Sequence, residues 1–173
     1  MDIPILSVVG KSGSGKTTLI CGLIGELKRR GFKVAAIKHG AHGFNLDQPG
    51  KDSWKHAEAG ADTVVVSSPE KVAMIEKVQI ELTLDQVIAK IKDVDIIISE
   101  GYKGNDKPKL EVFRSTVHHR PLCTEEDNLI AMASDIQPPL NVPLFQLSDF
   151  TGMVNLIENK FLRNKGYKRT SVE

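Results

Sequence analysis

The stretch that decides the fold of this chain is Gly10-Lys11-Ser12-Gly13-Ser14-Gly15-Lys16-Thr17. It matches the Walker A pattern G-x-x-x-x-G-K-[ST], which binds the phosphates of nucleoside triphosphates. The glycines let the backbone wrap closely around a phosphate, so that N–H groups point inward as donors. Lys16 would supply a mobile cation for the β- and γ-phosphates, and Thr17 a hydroxyl oxygen for Mg²⁺. The motif therefore predicts a site for a magnesium-bound nucleotide.

The residues on either side of the motif fit the context that it requires. Residues 3–9 are dominated by Ile, Leu and Val without polar alternation, which is typical of a strand buried on both faces. Residues 17–30 place leucines and an isoleucine on one helical face, and Gly31 is suited to end that helix. The alternative is a glycine-rich turn with a surface lysine, and a strand before and a helix after the motif argue against it.

Apolar runs alternate with amphipathic runs along the rest of the chain, which is the pattern of βαβ units. We predict an α/β protein with a mostly parallel central sheet flanked by helices, in one nucleotide-binding domain over residues 1–162 with a basic tail at 163–173. The basic tail is interpreted as a frayed, solvated end. Further strands are predicted at residues 33–38, 63–67, 72–76, 94–99, 110–113, 129–133 and 144–147, and further helices at 53–59, from Thr83 with Gln86 completing a capping box, and at 153–162.

Composition and charge exclude several classes of protein. The 173 residues suit one ordinary domain, and 23 basic against 22 acidic residues argue against a strongly basic nucleic-acid binder. No apolar run approaches the roughly 18 residues needed to cross a bilayer, and the N-terminus lacks the basic flank of a secretory signal. Cys21 and Cys123 are too few for a disulfide framework. We expect a cytoplasmic protein without membrane or nucleic-acid partners.

A second acidic residue is needed to hold the magnesium ion, directly or through water. Glu100 follows the strand predicted at 94–99, at the carboxyl end where ligands bind in open α/β sheets. Asp95 lies at the start of that strand, about 15 Å or more away at ~3.3 Å per residue. Glu100 is therefore the better candidate, and a strand-end glutamate that only faces solvent is the alternative.

A long polar loop at residues 38–53 is predicted to emerge on the phosphate side of the sheet. Loops of this length inside compact domains are usually functional. Asp47, Lys51 and Asp52 are candidates to contact magnesium, the γ-phosphate or a substrate, and either Asp47 or Glu100 would position the attacking water.

Two pairs of histidines offer weaker signals. His39 and His42 are three residues apart, but no third ligand has a suitable spacing, so we do not favour a metal site there. His118 and His119 are expected at the surface.

A wider set of motifs resembles the MobB family, the GTP-binding adaptors of molybdopterin-guanine dinucleotide biosynthesis. The similarity is good over residues 5–114 and loose over 115–147. The glycine-rich motif is shared by many proteins, but its combination with the histidine-containing loop is far more specific. The matching stretches are Gly10 to Thr18, Lys38-His39-Gly40-Ala41-His42, Asp47 to Ser53, Ala59-Gly60-Ala61, Glu100-Gly101-Tyr102-Lys103 and Pro108 to Val112.

The resemblance implies a P-loop NTPase fold of the dethiobiotin-synthetase-like class. It implies binding of GTP with Mg²⁺, weak magnesium-dependent GTPase activity and a homodimer. The implied partner is MobA, the guanylyltransferase that attaches GMP to molybdopterin, and molybdopterin is a further candidate ligand. His39, His42, Lys51 and Asp52 would then face the partner or the pterin, and Thr18 would extend the nucleotide site.

Two departures from related patterns affect the nucleotide site. Lys11 occupies the position from which related deviant-loop ATPases extend a lysine to the partner subunit, but Ser12-Gly13 replaces their Gly-Gly. The Asn-Lys-x-Asp run that usually reads guanine is missing from the sequence. Asp135 follows an apolar run, and its carboxylate is a candidate to accept hydrogen bonds from guanine N1 and N2. A plain loop aspartate is the alternative.

Two other functions remain open from the residues alone. A small-molecule kinase would need an arginine-bearing lid, for which Arg114 and Arg120 around residues 115–119 are the only candidates. A binding module would hold the nucleotide without turning it over.

Because we find no arginine finger, which is worth about 10³ to 10⁵ in rate where present, we predict feeble hydrolysis by the isolated protein.

Overall fold

The computed structural model describes residues 3–40, 43–102 and 104–163, so that His42, Lys103 and the tail from residue 164 lie outside the described residues. A 3₁₀ helix is formed by Glu125–Asp127, and a π-helix is formed by Glu158–Leu162. In the described ranges, no helix is long and apolar enough to cross a membrane. The elements in chain order are β1 (Ile5–Val9), α1 (Lys16–Arg29), β2 (Val34–Lys38), α2 (Asp52–Glu58), β3 (Thr63–Ser67), β4 (Val72–Glu76), α3 (Leu84–Ile88), β5 (Ile96–Glu100), β6 (Lys109–Phe113), β7 (Leu129–Ser134), β8 (Leu144–Phe145) and α4 (Phe150–Ile157).

The chain divides into two compact units. The first takes the residues up to 39 and from 90 onward, and the second takes residues 40–89. A single nucleotide-binding domain over residues 1–162 stays a prediction.

A six-stranded sheet with the order β2-β5-β1-β6-β7-β8 forms the centre of the first unit. Every neighbouring pair runs parallel, which confirms the prediction of a mostly parallel central sheet in an α/β fold. Strand β1 lies between β5 and β6, with Val8 opposite both Glu100 and Leu110. The carboxyl ends of these three strands therefore lie side by side at one edge of the sheet.

Helices α1 and α4 pack together on one face of this sheet. The periodic leucines of α1 are buried as predicted, and the inward residues of the strands are almost all β-branched or leucine. Burial of one such side chain is worth about 1.5 to 3 kcal/mol, so this layer is a main source of stability. Its fully buried members include Leu6, Val8, Leu23, Leu27, Ile96, Ile98, Leu110, Val112 and Ile157.

A charged cluster joins the end of α1 to the segment after α4. Arg30 donates to Glu26 at 2.7 Å and to Glu158 at 3.0 Å, and Arg29 also donates to Glu26. Hydrogen bonds from Arg29 and then Arg30 lower the pKa of Glu26 to about 2. The cluster holds the C-terminal end of α1 in place, which is the end that lies away from the glycine-rich motif.

The last helix begins earlier than predicted and changes its geometry. It starts at Phe150 because Asp149 caps it, accepting from the Gly152 N–H at 2.9 Å. From Glu158 the turns widen to a π-helix. The predicted helix at 153–162 is therefore an α-helix up to Ile157, followed directly by a π-helix.

The second unit contains an antiparallel hairpin of β3 and β4, paired from Thr63 opposite Glu76 to Ser67 opposite Val72. Both strands lie where the sequence predicts them, but they form a sheet of their own. The connection between Ser67 and Val72 holds only a tight turn, which is too short for the crossover that a parallel pair needs. Helix α3 begins with the predicted capping box of Thr83 and Gln86.

Candidate functional site

The glycine-rich loop, residues 10–17, lies between the carboxyl end of β1 and the start of α1. Gly10 has φ of 149°, and a β carbon there would lie 2.6 Å from the Val112 carbonyl oxygen of the neighbouring strand. Gly15 has φ of 99° and occupies the N-cap position of α1 in the left-handed region. Only glycine adopts both conformations without strain, so the motif's glycines are required by the backbone path itself.

Helix α1 begins without a side-chain cap and without an acidic residue in its first turn. The first N–H groups of a helix have no partner inside the helix, and the helix dipole makes this end positive. Lys16, Thr17 and Thr18 form that first turn. The end of the helix is therefore suited to an anion supplied from outside the chain.

Lys16 bends back across the glycine-rich loop. Its Nζ donates to the carbonyl oxygen of Lys11 at 2.9 Å. The side chains of Lys11 and Ser12 are exposed. A cation is thus held at the mouth of the loop, where the terminal phosphates of a nucleotide would lie.

Thr17 and Glu100 meet at the same edge of the sheet. The Thr17 hydroxyl oxygen lies 3.4 Å from both carboxylate oxygens of Glu100, longer than a strong O–H···O hydrogen bond. Hydroxyl and carboxylate oxygens are the ligands that Mg²⁺ takes in nucleotide sites, together with phosphate oxygens and water. The pair therefore fits a magnesium ion, with the carboxylate acting directly or through water.

No cluster of three or more His, Cys, Asp or Glu residues suited to a metal occurs in the part of the chain that the structure describes. An all-protein metal cage is therefore not built from those residues.

His39 lies beside the end of β5. The backbone N–H of His39 donates to the Glu100 carbonyl at 2.9 Å. The His39 ring contacts the Tyr102 ring, with centroids 4.4 Å apart. A β carbon on Gly101 would lie 2.8 Å from the β carbon of His39, so this close approach requires glycine. Two stretches that are distant in sequence are thus joined behind the candidate metal ligand.

A buried polar chain supports the segment that follows Glu100. The hydroxyls of Ser7 and Ser99 lie 2.9 Å apart, and the Asn105 amide donates to Ser7 and to the Tyr102 carbonyl. The Asn105 side chain also accepts from the Lys107 N–H at 2.7 Å. These contacts fix the turn after β5 and hence the position of the Glu100 backbone.

The predicted loop residues Asp47, Lys51 and Asp52 lie in the second unit. Asp47 accepts from the Gln48 N–H at 2.8 Å and from the Ser53 hydroxyl at 3.1 Å. Lys51 is the N-cap residue of α2, and Asp52 is exposed at its first turn. Their roles toward a nucleotide, a pterin or a partner stay predictions.

A cavity of about 220 Å³ lies in the same unit. The side chains of Phe44, Asp47 and Trp54 are among those that line it. Its walls mix aromatic and polar groups, which is the usual composition of a small-molecule site.

Asp135 lies just after β7, at the edge of the sheet that carries the glycine-rich loop. One carboxylate oxygen accepts from the Ser115 N–H at 2.9 Å and the other from the Ser115 hydroxyl at 3.1 Å. The hydrogen bond from the Ser115 backbone holds the pKa of Asp135 below its ordinary value. The carboxylate is therefore ionised at neutral pH and keeps further lone pairs for guanine donors.

His118 is buried, with 4% of its surface exposed, and the expectation that it lies at the surface is wrong. The N–H groups of Val117 and His118 both donate to the Arg114 carbonyl at 3.0 Å. This turn folds the His118 ring back onto Phe113, with centroids 5.9 Å apart. His119 is exposed as expected.

Two polar groups near the glycine-rich loop take positions that the sequence did not predict. Ser14 is fully buried, and its hydroxyl has no hydrogen-bond partner among the described residues. Arg114 places its guanidinium against Gly15, 3.3 Å from where a β carbon would lie. The sequence offers Arg114 as a lid candidate directly after a predicted strand, but it does not predict the contact with Gly15.

Comparison with known proteins gives one family. A model described as MobB, molybdopterin guanine dinucleotide synthesis protein B, matches residues 5–135. The chain is 36% identical over 169 residues to the molybdopterin-guanine dinucleotide biosynthesis adapter protein of Escherichia coli (strain K12), covering 95% of this chain and 97% of that one. It is 32% identical over 160 residues to the adapter protein of the same name from Haemophilus influenzae, with 91% and 89% covered.

Solved structures agree with the sequence comparison. A crystal structure of molybdopterin-guanine biosynthesis protein B superposes with a TM-score of 0.70 at 30% identity, covering 90% of this chain and 98% of that chain. The Bacillus subtilis MobB structure superposes with the same TM-score at 25% identity, covering 95% and 100%. The similarity therefore extends over nearly the whole fold.

Proposed function

The chain belongs to the MobB family, and we propose that it is a GTP-binding adapter of molybdopterin guanine dinucleotide biosynthesis. One observation carries the nucleotide part of this proposal. The first turn of α1 has no cap of its own and presents Lys16 and Thr17, while Glu100 lies 3.4 Å from the Thr17 hydroxyl. An uncapped helix end, a cation and a facing carboxylate are the parts that a magnesium nucleotide needs.

Each residue of the site has a separate task in the proposal. The backbone of the glycine-rich loop cradles the α- and β-phosphates, and Lys16 exchanges the Lys11 carbonyl for terminal phosphate oxygens. Thr17 and Glu100 hold Mg²⁺, which when bound offsets negative charge on the phosphates. Asp135 accepts hydrogen bonds from the guanine N1 and N2 positions. Glu100 orients water for slow hydrolysis, and the alternative that Asp47 does so stays a prediction.

The adapter part of the proposal rests on the named relatives. The two relatives described above, at 36% and 32% identity, are called adapter proteins of this biosynthesis. We propose a MobA-type guanylyltransferase as the partner, with molybdopterin as a further ligand, and a homodimer as the working form. His39, Lys51 and Asp52 are the candidate contacts for the partner or the pterin.

Equilibrium titration of the purified protein tests the nucleotide site. GTP and ATP are titrated with and without Mg²⁺ into the wild type, into Lys16→Ala and into the control Lys28→Ala, an exposed lysine at the far end of α1. We expect Lys16→Ala to lose most triphosphate affinity and Lys28→Ala to keep it, with GTP preferred over ATP. Undiminished binding by Lys16→Ala would move the site elsewhere.

A reconstituted reaction tests the adapter role. A purified MobA-type guanylyltransferase is given GTP and molybdopterin, and formation of the dinucleotide cofactor is followed with and without this protein. We expect the wild type to raise product formation and Lys16→Ala to raise it much less. Equal yields with and without the wild type would rule out an adapter role in this step.

A further inference from the structure

The guanidinium of Arg114 faces the glycine-rich loop with one particular edge. From the position of a β carbon on Gly15, Nη2 lies at 3.3 Å, Nε at 3.6 Å and Cζ at 3.7 Å. Nη1 is not among these nearest atoms, so the edge formed by Nε and Nη2 points to the loop. This is the edge whose two parallel N–H groups bind a carboxylate or a phosphate in bidentate fashion.

The same edge lacks an acceptor among the described residues. Nε of Arg114 is buried and has no hydrogen-bond partner there, and no ion pair is found for this side chain in those ranges. An arginine keeps its charge at any physiological pH, and a buried charged donor without an acceptor is costly. Arg114 acts on Asp135 electrostatically and helps to lower the pKa of that carboxyl, but its buried Nε has no hydrogen-bond acceptor among the described residues.

Local structure keeps this side chain where it is. Arg114 follows β6 directly, and β6 is the neighbour of β1, which leads into the loop. Its carbonyl accepts from Val117 and His118, which closes a turn, and Val117 lies 3.9 Å from the β-carbon position of Gly13. The turn at residues 114–118 thus lies against the glycine-rich loop at Gly13 and at Gly15.

A second unsatisfied group lies in the same loop. The Ser14 hydroxyl is buried without a partner among the described residues, 2.7 Å from the β-carbon position of Gly10. Arg114 and Ser14 are independent of each other in sequence, and both present polar atoms at the loop.

We propose that Arg114 binds the phosphates of the nucleotide, donating from Nε and Nη2 to oxygens of the α- and β-phosphates. The proposal rests on the nucleotide site described above and adds a second cation to Lys16. Gly15 belongs to the part of the loop that cradles the α- and β-phosphates, whereas the motif lysine serves the β- and γ-phosphates. Arg114 is accordingly a binding residue, and the expectation of slow hydrolysis is unchanged.

Diphosphate affinity separates this role from that of Lys16. GDP and GTP are titrated into the wild type, Arg114→Ala, Arg114→Lys and the control Arg29→Ala, an arginine with an exposed side chain at the far end of α1. We expect Arg114→Ala to lower the affinity for GDP and for GTP by the same factor, about tenfold to a hundredfold. This is the usual contribution of hydrogen bonds to charged groups. Arg114→Lys should recover only part of this, because lysine has no bidentate edge.

A spectroscopic measurement distinguishes phosphate binding by Arg114 from a purely structural role of this residue. The ³¹P resonances of saturating GDP are recorded on each variant, together with thermal unfolding before GDP is added. We expect the bound α- and β-phosphate resonances to shift in both Arg114 variants and to stay unchanged in Arg29→Ala. Resonances that match the wild type, with any affinity loss explained by a lower unfolding temperature, would overturn the proposal.

The two proposals fail in different ways. If Lys16→Ala loses GTP binding but Arg114→Ala and Arg114→Lys bind GDP like the wild type, the nucleotide site stands and the role of Arg114 is wrong. If the wild type binds neither GDP nor GTP, both proposals are wrong.

Discussion

Thr17 and Glu100 are 83 residues apart in the sequence, yet the threonine hydroxyl lies 3.4 Å from each oxygen of the glutamate carboxylate. The pairing of β1 with β5 produces this meeting, because Val8 lies opposite Glu100 and the loop after β1 turns directly into α1. Parallel strands end at the same edge of a sheet, so side chains that follow them converge. The metal-binding part of the proposed function depends on that convergence.

Glu100→Gln should weaken the magnesium dependence of nucleotide binding. We expect the Mg²⁺ concentration for half-maximal GTP binding to rise about tenfold, because a neutral amide is a poorer ligand for a hard cation. Titration of Mg²⁺ at fixed GTP measures this. Binding without Mg²⁺ should change little, and the exposed control Glu126→Gln should behave like the wild type. An unchanged magnesium curve would remove Glu100 from the site.

Gly10→Ala should destabilise the fold as well as the site. The added methyl would lie 2.6 Å from the Val112 carbonyl oxygen, and φ of 149° disfavours any side chain. We expect a loss of about 1 to 3 kcal/mol in the free energy of unfolding. Gly60→Ala is the control, because its φ of 108° carries the backbone strain but nothing lies within 4 Å of its β carbon. Urea denaturation should find Gly10→Ala the less stable of the two.

Asp135→Asn should change which base is preferred. A carboxylate accepts from both guanine donors, whereas an amide offers one acceptor and one donor, which suits xanthine. We expect affinity for GTP to fall and affinity for XTP to rise, each by about tenfold. Competition between the two nucleotides on the wild type and the variant measures this. Equal losses for both bases would indicate that Asp135 only holds Ser115 in place.

Glu26→Gln should lower stability in a pH-dependent way. The pKa of Glu26 falls from 4.5 to about 2 in the folded chain because Arg29 and then Arg30 donate to it. Its contribution is therefore complete above pH 4.5 and is lost as the pH falls toward 2. The gap in unfolding free energy between wild type and variant should narrow over that range. The assignment would be contradicted if the difference in unfolding free energy were the same at pH 4.5 and at about pH 2. It would also be contradicted if the exposed control Glu70→Gln showed the same pH-dependent difference.

The sequence predicts the bounds of the first strand and the first helix to within two residues, because each has a strong local signal. The β3 and β4 strands are found, but their pairing with each other is not, since partner choice depends on contacts outside either strand. The contact of Arg114 with Gly15 is likewise invisible in the sequence, because only the placing of β6 beside β1 creates it. His118 is missed for the same reason, as its burial follows from a turn.

Because β1 lies between β5 and β6, mutations in these two neighbouring strands should have separate effects on the glycine-rich loop. Glu100 reaches the loop from β5 on one side, and Arg114 reaches it from β6 on the other. Insertion of one residue into β5 would reverse which way its side chains point while leaving β6 in register. The proposed metal site and the proposed diphosphate contact of Arg114 therefore depend on different strands, and mutations should be able to abolish either one without the other.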